Sequence, residues 1–205
     1  MENYVITIAR GYGSGGKTIG MMLADDLGIK YYDKNLMRIA SEESGIHERL
    51  FGLADERVKT GFFKKKGEYR HDPLPPESDA FVSDDNLFNI QAKIIRELAE
   101  KDEPCIIVGR CADYVLKHYK NVIRVFIYAD EEHCIQNVVD MYGVSEKEAL
   151  KTIEKTDKNR SAYYKYYTGQ DWDNARNYEL CLDSGDLGFQ KCVDIIKSYI
   201  EIKQR

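Results

Sequence analysis

A glycine-rich stretch near the start of the chain has the residue types and spacing of a turn that binds phosphate. It consists of Gly11, Tyr12, Gly13, Ser14, Gly15, Gly16, Lys17 and Thr18. Two glycines separated by four residues and followed by lysine and threonine form the Walker A pattern, in which backbone N–H groups surround phosphate oxygens. In that pattern Lys17 reaches the β- and γ-phosphates of a nucleotide, and the Thr18 hydroxyl binds Mg²⁺. The stretch therefore predicts that the chain binds ATP together with Mg²⁺.

The same glycines also fit the dinucleotide-binding pattern G-x-G-x-x-G, through Gly11, Gly13 and Gly16. In that interpretation Asp33 could bind the ribose of the dinucleotide. A dinucleotide-binding turn, however, does not need a cation and a hydroxyl directly after its last glycine. Lys17 and Thr18 therefore favour the phosphate-binding interpretation.

Further charged residues follow other predicted strands, at the edge where open α/β sheets bind their ligands. Asp33 comes directly after a strand-like run, and Arg110 follows another one after a single glycine, Gly109. Arg38 lies on the next predicted helix after Asp33, and Asp157 and Arg160 lie on a later one. Arginine binds phosphoryl oxygens through two parallel N–H groups, which suits the donor and the acceptor of a phosphoryl transfer. A plain surface position for Arg38 and a simple i, i+3 ion pair between Asp157 and Arg160 are the alternatives.

Strand-like and helical segments alternate along the chain. This alternation predicts one α/β domain over residues 1–205, with a parallel sheet between two layers of helices. The strands are predicted at 4–9, 30–32, 105–108, 122–128 and 178–183, and the clearest helices at 35–43, 47–58, 86–101 and 189–202. A capping box formed by Ser145 and Glu148 predicts a further helix from about 146 toward 160. Residues 60–85 break the pattern, and a loop of that length is typical of a functional segment.

The net charge and composition of the chain indicate which classes of partner and which cellular compartment to expect. The 205 residues carry a formal net charge of −5, so that no overall positive field attracts nucleic acid. No apolar stretch approaches the roughly 20 residues of a membrane span, and the chain begins with a strand rather than a signal peptide. We therefore expect a cytoplasmic protein without a nucleic-acid or membrane partner. The five cysteines and four histidines show no ligand spacing, and the oligomeric state is left open.

Six segments together resemble the cytidylate kinase-like family of P-loop kinases, over nearly the whole chain. They are VITIARGYGSGGKT, IKYYDKNLMRIA, IIVGRCADYVL, VIRVFIYADEEH, DKNR at 157–160 and ELCLDSGDLG. The resemblance implies a P-loop NTPase three-layer fold, with a five-stranded parallel sheet of order 2-3-1-4-5 and helices on both faces. It also implies a small insertion, at about 44–86, that binds a nucleoside monophosphate, and an arginine-bearing helical lid at about 150–177.

The resemblance also implies roles for individual residues. Lys17 matches the residue that holds the ATP phosphates, and Arg110 the residue that holds the acceptor phosphate. Asp157 and Arg160 match lid residues at the transfer site, and Asp33 and Arg38 match the start of the acceptor region. We therefore expect catalysis to depend on Lys17, Arg110, Asp157 and Arg160, and residues 60–85 and 160–177 to close over both substrates.

Three positions depart from the family pattern. Val108 and Cys111 stand where cytidylate kinases have acids, one near Mg²⁺ and one that reads the cytosine amino group, and Ile153 replaces a lid arginine. We therefore predict phosphate transfer from ATP, most simply to a nucleoside monophosphate, without a strong preference for CMP. The alternatives are a kinase for another small metabolite and a nucleotide-binding regulatory module that does not transfer phosphate.

Overall fold

The computed structural model describes residues 3–56, 69 and 72–204. At its centre is a five-stranded sheet of order β2-β3-β1-β4-β5, in which each pair of neighbouring strands is parallel. The strands are β1 (Val5–Arg10), β2 (Lys30–Tyr32), β3 (Cys105–Val108), β4 (Val122–Tyr128) and β5 (Leu180–Asp183). This order confirms the predicted one and places β1, which leads into the glycine-rich stretch, in the middle of the sheet.

The helices connect successive strands or extend beyond them. They are α1 (Gly16–Leu27), α2 (Asn35–Ser44), α3 (Glu48–Glu56), α4 (Asp84–Glu100), α5 (Ala112–Val115), α6 (Glu131–Tyr142), α7 (Glu146–Thr168), α8 (Ser184–Leu187) and α9 (Phe189–Lys203), with a 3₁₀ turn at Ala175–Asn177. Within the described residues, no helix is long and apolar enough to cross a membrane.

Alternate residues of the central strands pack into two apolar cores, one on each face of the sheet. Ile6 and Ile8 of β1 pack with α1 and α9 on one face. Val5 of the same strand packs with α2, α4 and α5 on the other face. A parallel sheet covered on both faces needs this continuous apolar sequence. The edge formed by the carboxyl ends of the strands is therefore the natural position for polar, ligand-binding side chains.

Helix α7 begins as predicted but is longer than predicted. The Ser145 hydroxyl accepts a hydrogen bond from the Glu148 N–H, and the Glu148 carboxylate accepts one from the Ser145 N–H, which completes the capping box. The helix continues through the tyrosine-rich segment and ends where Gly169 adopts a left-handed conformation, with φ of 74°. No glycine or proline stands before that position to end the helix earlier.

The tyrosines of α7 extend the helix because they pack in the core. The Tyr167 ring stacks on Phe88 of α4, with ring centroids 3.9 Å apart, and both side chains are buried. Tyr164 is also buried, and Tyr163 packs edge-on against Tyr167. The carboxyl-terminal part of α7 is therefore packed against α4.

Part of the expected insertion, residues 57–68, 70 and 71, lies outside the described residues. The described part of 60–85 forms turns over 72–83 and then enters α4. The Asn86 side chain joins these turns to α4, because its Oδ1 accepts from the Leu74 N–H at 2.7 Å and its Nδ2 donates to the Phe81 carbonyl at 2.8 Å. The described turns over 72–83 are thus held on the start of α4.

We expect Gly13→Ala to destabilise the protein more than Gly143→Ala. Both glycines have positive φ, 85° and 66°, so that each substitution carries a similar backbone penalty of about 1 kcal/mol. A Cβ at residue 13 would lie 2.6 Å from the carbonyl oxygen of Cys134 in α6, whereas nothing lies within 4 Å of one at residue 143. Overpacking should add about 1–3 kcal/mol at residue 13 alone. Urea unfolding measures the difference, and equal midpoints would show that α6 does not hold the turn.

Candidate active site

The carboxyl ends of β1, β2 and β3 bring most of the predicted site residues to one edge of the sheet. The phosphate loop, residues 11–18, follows β1, Asp33 follows β2, and Arg110 follows β3. Helix α7 crosses this edge and adds Asp157 and Arg160. Arg38 does not join them, because it lies exposed on α2 and forms an ion pair with Glu42 one turn along that helix. Its sequence position did not distinguish a ligand-binding arginine from a surface one.

The phosphate loop borders a cavity of about 710 Å³ at the amino terminus of α1. Gly11, Gly13, Gly15, Gly16, Lys17 and Thr18 all line this cavity. The first N–H groups of a helix have no partner within it, and in the described structure no side chain caps those of α1. Backbone donors, the positive end of the helix dipole and the Lys17 ammonium therefore face the same space, which fits a polyphosphate.

Ser14 shapes the loop and does not face the cavity. Its side chain is fully buried, and its hydroxyl donates hydrogen bonds to the carbonyls of Gly11 at 2.9 Å and Ile127 at 3.2 Å. The Ser184 hydroxyl in turn donates to the Ser14 carbonyl at 2.6 Å. The loop is thereby tied to β4 and α8 and has its form before any phosphate arrives.

Lys17 and Asp33 form an ion pair across the mouth of this cavity, with Nζ and Oδ2 3.4 Å apart. The Lys17 side chain is 56% exposed, so that water weakens the attraction, and a pair of this kind contributes about 1 kcal/mol or less. A phosphate group, with its larger charge, can therefore take the ammonium from Asp33 at little cost. The pair keeps Lys17 over the loop without blocking it.

Two residues of α7 contact the phosphate loop directly. Both carboxylate oxygens of Asp157 accept from the Tyr12 N–H at 3.0 Å. Arg160 donates from Nη1 to the Arg10 carbonyl and to Asp157 Oδ1, both at 3.1 Å. Burial raises the pKa of Asp157, while the Tyr12 N–H and the Arg160 charge oppose that increase. The lid residues expected from the sequence thus lie against the loop.

Arg10, the last residue of β1, is a site residue that the sequence analysis missed. A Cβ on Gly109 would lie 2.4 Å from its Nη1, so that the guanidinium lies directly against the turn after β3. Burial lowers the pKa of Arg10 to about 10, and the nearby charges of Arg160 and Arg110 lower it as well. At neutral pH Arg10 is still a cation. Its position at a strand end, immediately before the glycine-rich stretch, was the signal that could have identified it.

The turn after β3 has an uncommon backbone that positions Arg110. Gly109, Arg110 and Cys111 all have left-handed φ, at 77°, 59° and 52°. Such a conformation in non-glycine residues costs energy and persists where the surrounding structure imposes it, often at a binding site. Arg110 consequently lines a second cavity, of about 660 Å³. Cys111 is buried beneath it, and burial raises the pKa of its thiol well above the usual value, so that it is a neutral thiol.

The two cavities meet at two arginines. Arg10 and Arg160 are the described residues that line both of them. Asp33 borders the first cavity and Arg110 the second, so the residues expected to bind the acceptor are divided between them. A group that moved between the cavities would pass the cationic wall formed by Arg10 and Arg160.

A buried acid lies in the second cavity, and the sequence analysis did not identify it. Asp113 of α5 is 4% exposed, and its Oδ2 accepts from the Tyr164 hydroxyl at 2.6 Å. Burial raises the pKa of Asp113 to about 6, against the opposing effect of the Tyr164 hydrogen bond. Arg124 is the cation that acts on this carboxyl, and it is already bonded to Glu179, with Nη2 and Oε1 2.6 Å apart.

We expect Asp113→Asn to stabilise the protein at neutral pH relative to acidic pH. The pKa of Asp113 is higher in the folded chain, at about 6, than its usual 3.8, so that folding favours the protonated acid and stability falls as pH rises from about 4 to 6. An amide has no proton to lose. The free energy of unfolding of the variant, relative to the wild type, should therefore increase by up to about 3 kcal/mol between pH 4 and pH 7. Denaturation with exposed Asp79→Asn as control measures this, and an unchanged difference would contradict the burial argument.

Comparison with known proteins agrees with this geometry. The model of the cytidylate kinase-like family matches residues 5–186. A cytidylate kinase of Archaeoglobus fulgidus is 25% identical over 204 residues, which cover 97% of this chain and 96% of that protein. A crystal structure of a protein from Eubacterium ventriosum, described as uncharacterized, has a TM-score of 0.71 and 28% identity, with 97% of this chain and 99% of that one covered.

A shikimate kinase of Bacteroides thetaiotaomicron shares the fold, with a TM-score of 0.54, 13% identity and coverage of 97% of this chain and 98% of that chain. The family match spans most of the chain and includes the phosphate loop, the Arg110 turn and α7. The chain therefore belongs to the cytidylate kinase-like family and is a P-loop kinase.

Proposed function

We propose that this protein transfers the γ-phosphoryl group of ATP to a nucleoside monophosphate. The observation that carries the proposal is the pair of cavities that meet at Arg10 and Arg160. One cavity has the backbone donors of a phosphate loop, and the other has the cationic side chain of Arg110. Volumes of about 710 and 660 Å³ are both in the range of small-molecule sites, roughly 300–1,000 Å³.

The first cavity is the proposed donor site. The loop N–H groups and the amino terminus of α1 would bind the β- and γ-phosphates of ATP, with Lys17 released from Asp33 to join them. Thr18 lines the same cavity and is the proposed protein ligand for Mg²⁺. When bound, Mg²⁺ would neutralise charge that develops between the β- and γ-phosphates.

The second cavity is the proposed acceptor site. Arg110 would hold the phosphate of the monophosphate near the wall formed by Arg10 and Arg160. The acceptor oxygen then attacks the γ-phosphorus, the bond from that phosphorus to the β–γ bridging oxygen breaks, and ADP and a nucleoside diphosphate leave. No nucleophile on the protein is needed, so that catalysis consists of positioning and of stabilising charge with Lys17, Arg10 and Arg160.

Asp33 supports a second candidate, a kinase for a small hydroxylated metabolite. Its side chain is 12% exposed, and its Oδ2 lies 3.4 Å from the Lys17 Nζ. The residue borders the donor cavity. A carboxylate in this position could accept the proton of an attacking hydroxyl. A phosphate acceptor at neutral pH has little need for such a base. We favour the nucleoside monophosphate because Arg110 in the second cavity offers a cation for its phosphate.

The test is an ADP-release screen with ATP and Mg²⁺ against nucleoside monophosphates, nucleosides and small hydroxylated metabolites. We expect the highest kcat/KM with a nucleoside monophosphate and formation of the matching diphosphate. Turnover confined to a hydroxylated metabolite would support the second candidate. Binding of ATP without ADP release in the presence of any acceptor would contradict the proposed function and indicate a nucleotide-binding regulatory module.

We expect Lys17→Ala to lower kcat about a hundred- to a thousandfold. A side chain that stabilises the charge of the transferring group contributes about 3–4 kcal/mol to the transition state. The Lys17 side chain is 56% exposed, so that the melting temperature should change little. The control is Lys93→Ala, which removes a lysine paired with Glu97 on the surface of α4. Turnover close to that of the control would rule out Lys17 as a transition-state residue.

We expect Arg160→Ala to lower kcat more than it weakens ATP binding. The Arg160 guanidinium lies at the wall between the cavities, where charge develops during transfer, and not among the backbone donors that bind the ground-state phosphates. Steady-state kinetics and ATP titration separate the two effects, with exposed Arg176→Ala as the control. A loss of ATP affinity as large as the loss in kcat would instead place Arg160 in the ground-state donor site.

A further inference from the structure

Helix α7 borders the second cavity with a face that carries cations and neutral polar groups. The polar residues of this face that precede its tyrosines are Lys151, Thr152, Lys155, Thr156, Asn159 and Arg160. Their spacing of three to four residues is that of one side of a helix. Among the described lining residues, none of the acids of α7 appears, although the helix contains Glu146, Glu148, Glu154 and Asp157. The acids of α7 are therefore kept off the face that borders the cavity.

Two lysines on this face lack the carboxylate partner that the arginine has. Arg160 pairs with Asp157 on the same helix. Within the described residues no carboxylate pairs with Lys151 or Lys155, and both lysines are exposed. They lie four residues apart, where like charges on a helix repel each other. An anion bound between the two ammonium groups would remove that repulsion.

The two lysines belong to the acceptor cavity and lie apart from the wall where transfer takes place. Lys151 and Lys155 line the second cavity, and neither is among the described residues that line the donor cavity. They precede Arg160 by nine and five residues. Their Cα atoms therefore lie about 14 and 8 Å from that of Arg160 along the helix. The lysines thus supply positive charge at a second point of the acceptor site.

The positive charge around the second cavity exceeds what a single phosphate balances. Its described lining includes one carboxyl group and five cationic side chains, those of Arg10, Arg110, Lys151, Lys155 and Arg160. The carboxyl belongs to Asp113, which is buried and accepts from the Tyr164 hydroxyl. A phosphate monoester carries about two negative charges at neutral pH. A monophosphate alone would therefore leave positive charge that a second anionic group on the same ligand could balance.

We propose that Lys151 and Lys155 bind a second anionic group on the acceptor, separate from the phosphate that receives the γ-phosphoryl group. This inference rests on the proposed function and narrows its class of acceptor. The acceptor is a nucleoside monophosphate that carries a further phosphate or carboxylate on its sugar or its base. Lysine suits such a group, because its ammonium is a compact charge on a flexible stem and can adjust to either kind of anion.

The alternative is that Lys151 and Lys155 only add to the general positive charge of α7. Lys147 and Lys158 provide a matched comparison, because both are exposed on the same helix and neither is among the described residues that line the two cavities. Replacing either pair with glutamine removes the same charge and keeps a residue type that favours helix. A specific contact with an anionic group should therefore distinguish the two pairs of lysines.

The experiment measures kcat/KM with ATP and Mg²⁺ for two matched pairs of acceptors, AMP with adenosine 3′,5′-bisphosphate and UMP with orotidine 5′-monophosphate. The second member of each pair adds a phosphate to the sugar or a carboxylate to the base. We expect the wild type to prefer the added anion of at least one pair by about tenfold or more, since hydrogen bonds between charged groups are strong. In Lys151→Gln combined with Lys155→Gln, that ratio should fall by about tenfold. Lys147→Gln combined with Lys158→Gln should keep the ratio within about threefold of the wild-type value.

The outcomes separate the inference from the function on which it rests. A preference that depends on Lys151 and Lys155 supports the inference, and the pair that shows it identifies the added group as a sugar phosphate or a base carboxylate. Transfer to AMP or UMP without a preference for either added anion overturns the inference and leaves the proposed function standing. An equal fall of the ratio in both double variants assigns the effect to the general charge of α7 and also overturns the inference. Failure of the wild-type protein to phosphorylate any of the four acceptors overturns the proposed function and the inference together.

Discussion

The site depends on the contact between α7 and the residues just before and within the phosphate loop. Asp157 accepts from the Tyr12 N–H, and Arg160 donates to the Arg10 carbonyl. These bonds join α7, which lies far along the chain, to the end of the central strand β1. Polar residues of α7 also line the second cavity. Without these bonds, Arg10 and Arg160 would not be held between the two cavities. The groups that line one cavity would then have no fixed distance from those that line the other.

The charged groups at this contact include cations that repel one another and carboxylates that attract them. Arg10, Arg110 and Arg160 lie close enough to affect one another, and burial lowers the pKa of each. Burying three like charges is unfavourable for stability, and within the described site the carboxylates of Asp33 and Asp157 offset part of that cost. Phosphate groups would add further compensating charge. A cluster that is unfavourable in the empty protein is thus prepared for anionic ligands, as is typical of active sites.

Much of this arrangement was predictable, because it depends on local patterns. The strand–glycine–helix order located the phosphate loop, the apolar runs located the strands, and the position of Arg110 after β3 placed it at the ligand edge. Features that depend on tertiary packing were harder to predict from the sequence. The helix that begins at about 146 was predicted only toward 160, because nothing in the local sequence shows that Tyr167 stacks on Phe88 of α4.

Three residues whose surroundings the sequence did not show have the same explanation. Arg10 lies one residue beyond the strand predicted at 4–9, and nothing in the sequence shows that the Gly109 turn leaves space for its guanidinium. The sequence analysis gave Asp113 no role, because its Tyr164 partner lies on α7, 51 residues away. Arg38 had the sequence context of a site residue, but on α2 its side chain turns to Glu42 and solvent. In each case the position and burial of the side chain in the folded protein, and not its residue type, determine whether it lies at the site.

The central claim is that one ligand can occupy both cavities across the wall formed by Arg10 and Arg160. Hydrogen exchange with a two-headed ligand, adenosine joined through five phosphates to a second nucleoside, tests this claim most directly. The expected result is protection of the phosphate loop, the 109–113 turn and α7 together, with binding that competes with ATP and is tighter than that of ATP. Protection confined to the phosphate loop, with an affinity no better than that of ATP, would contradict it.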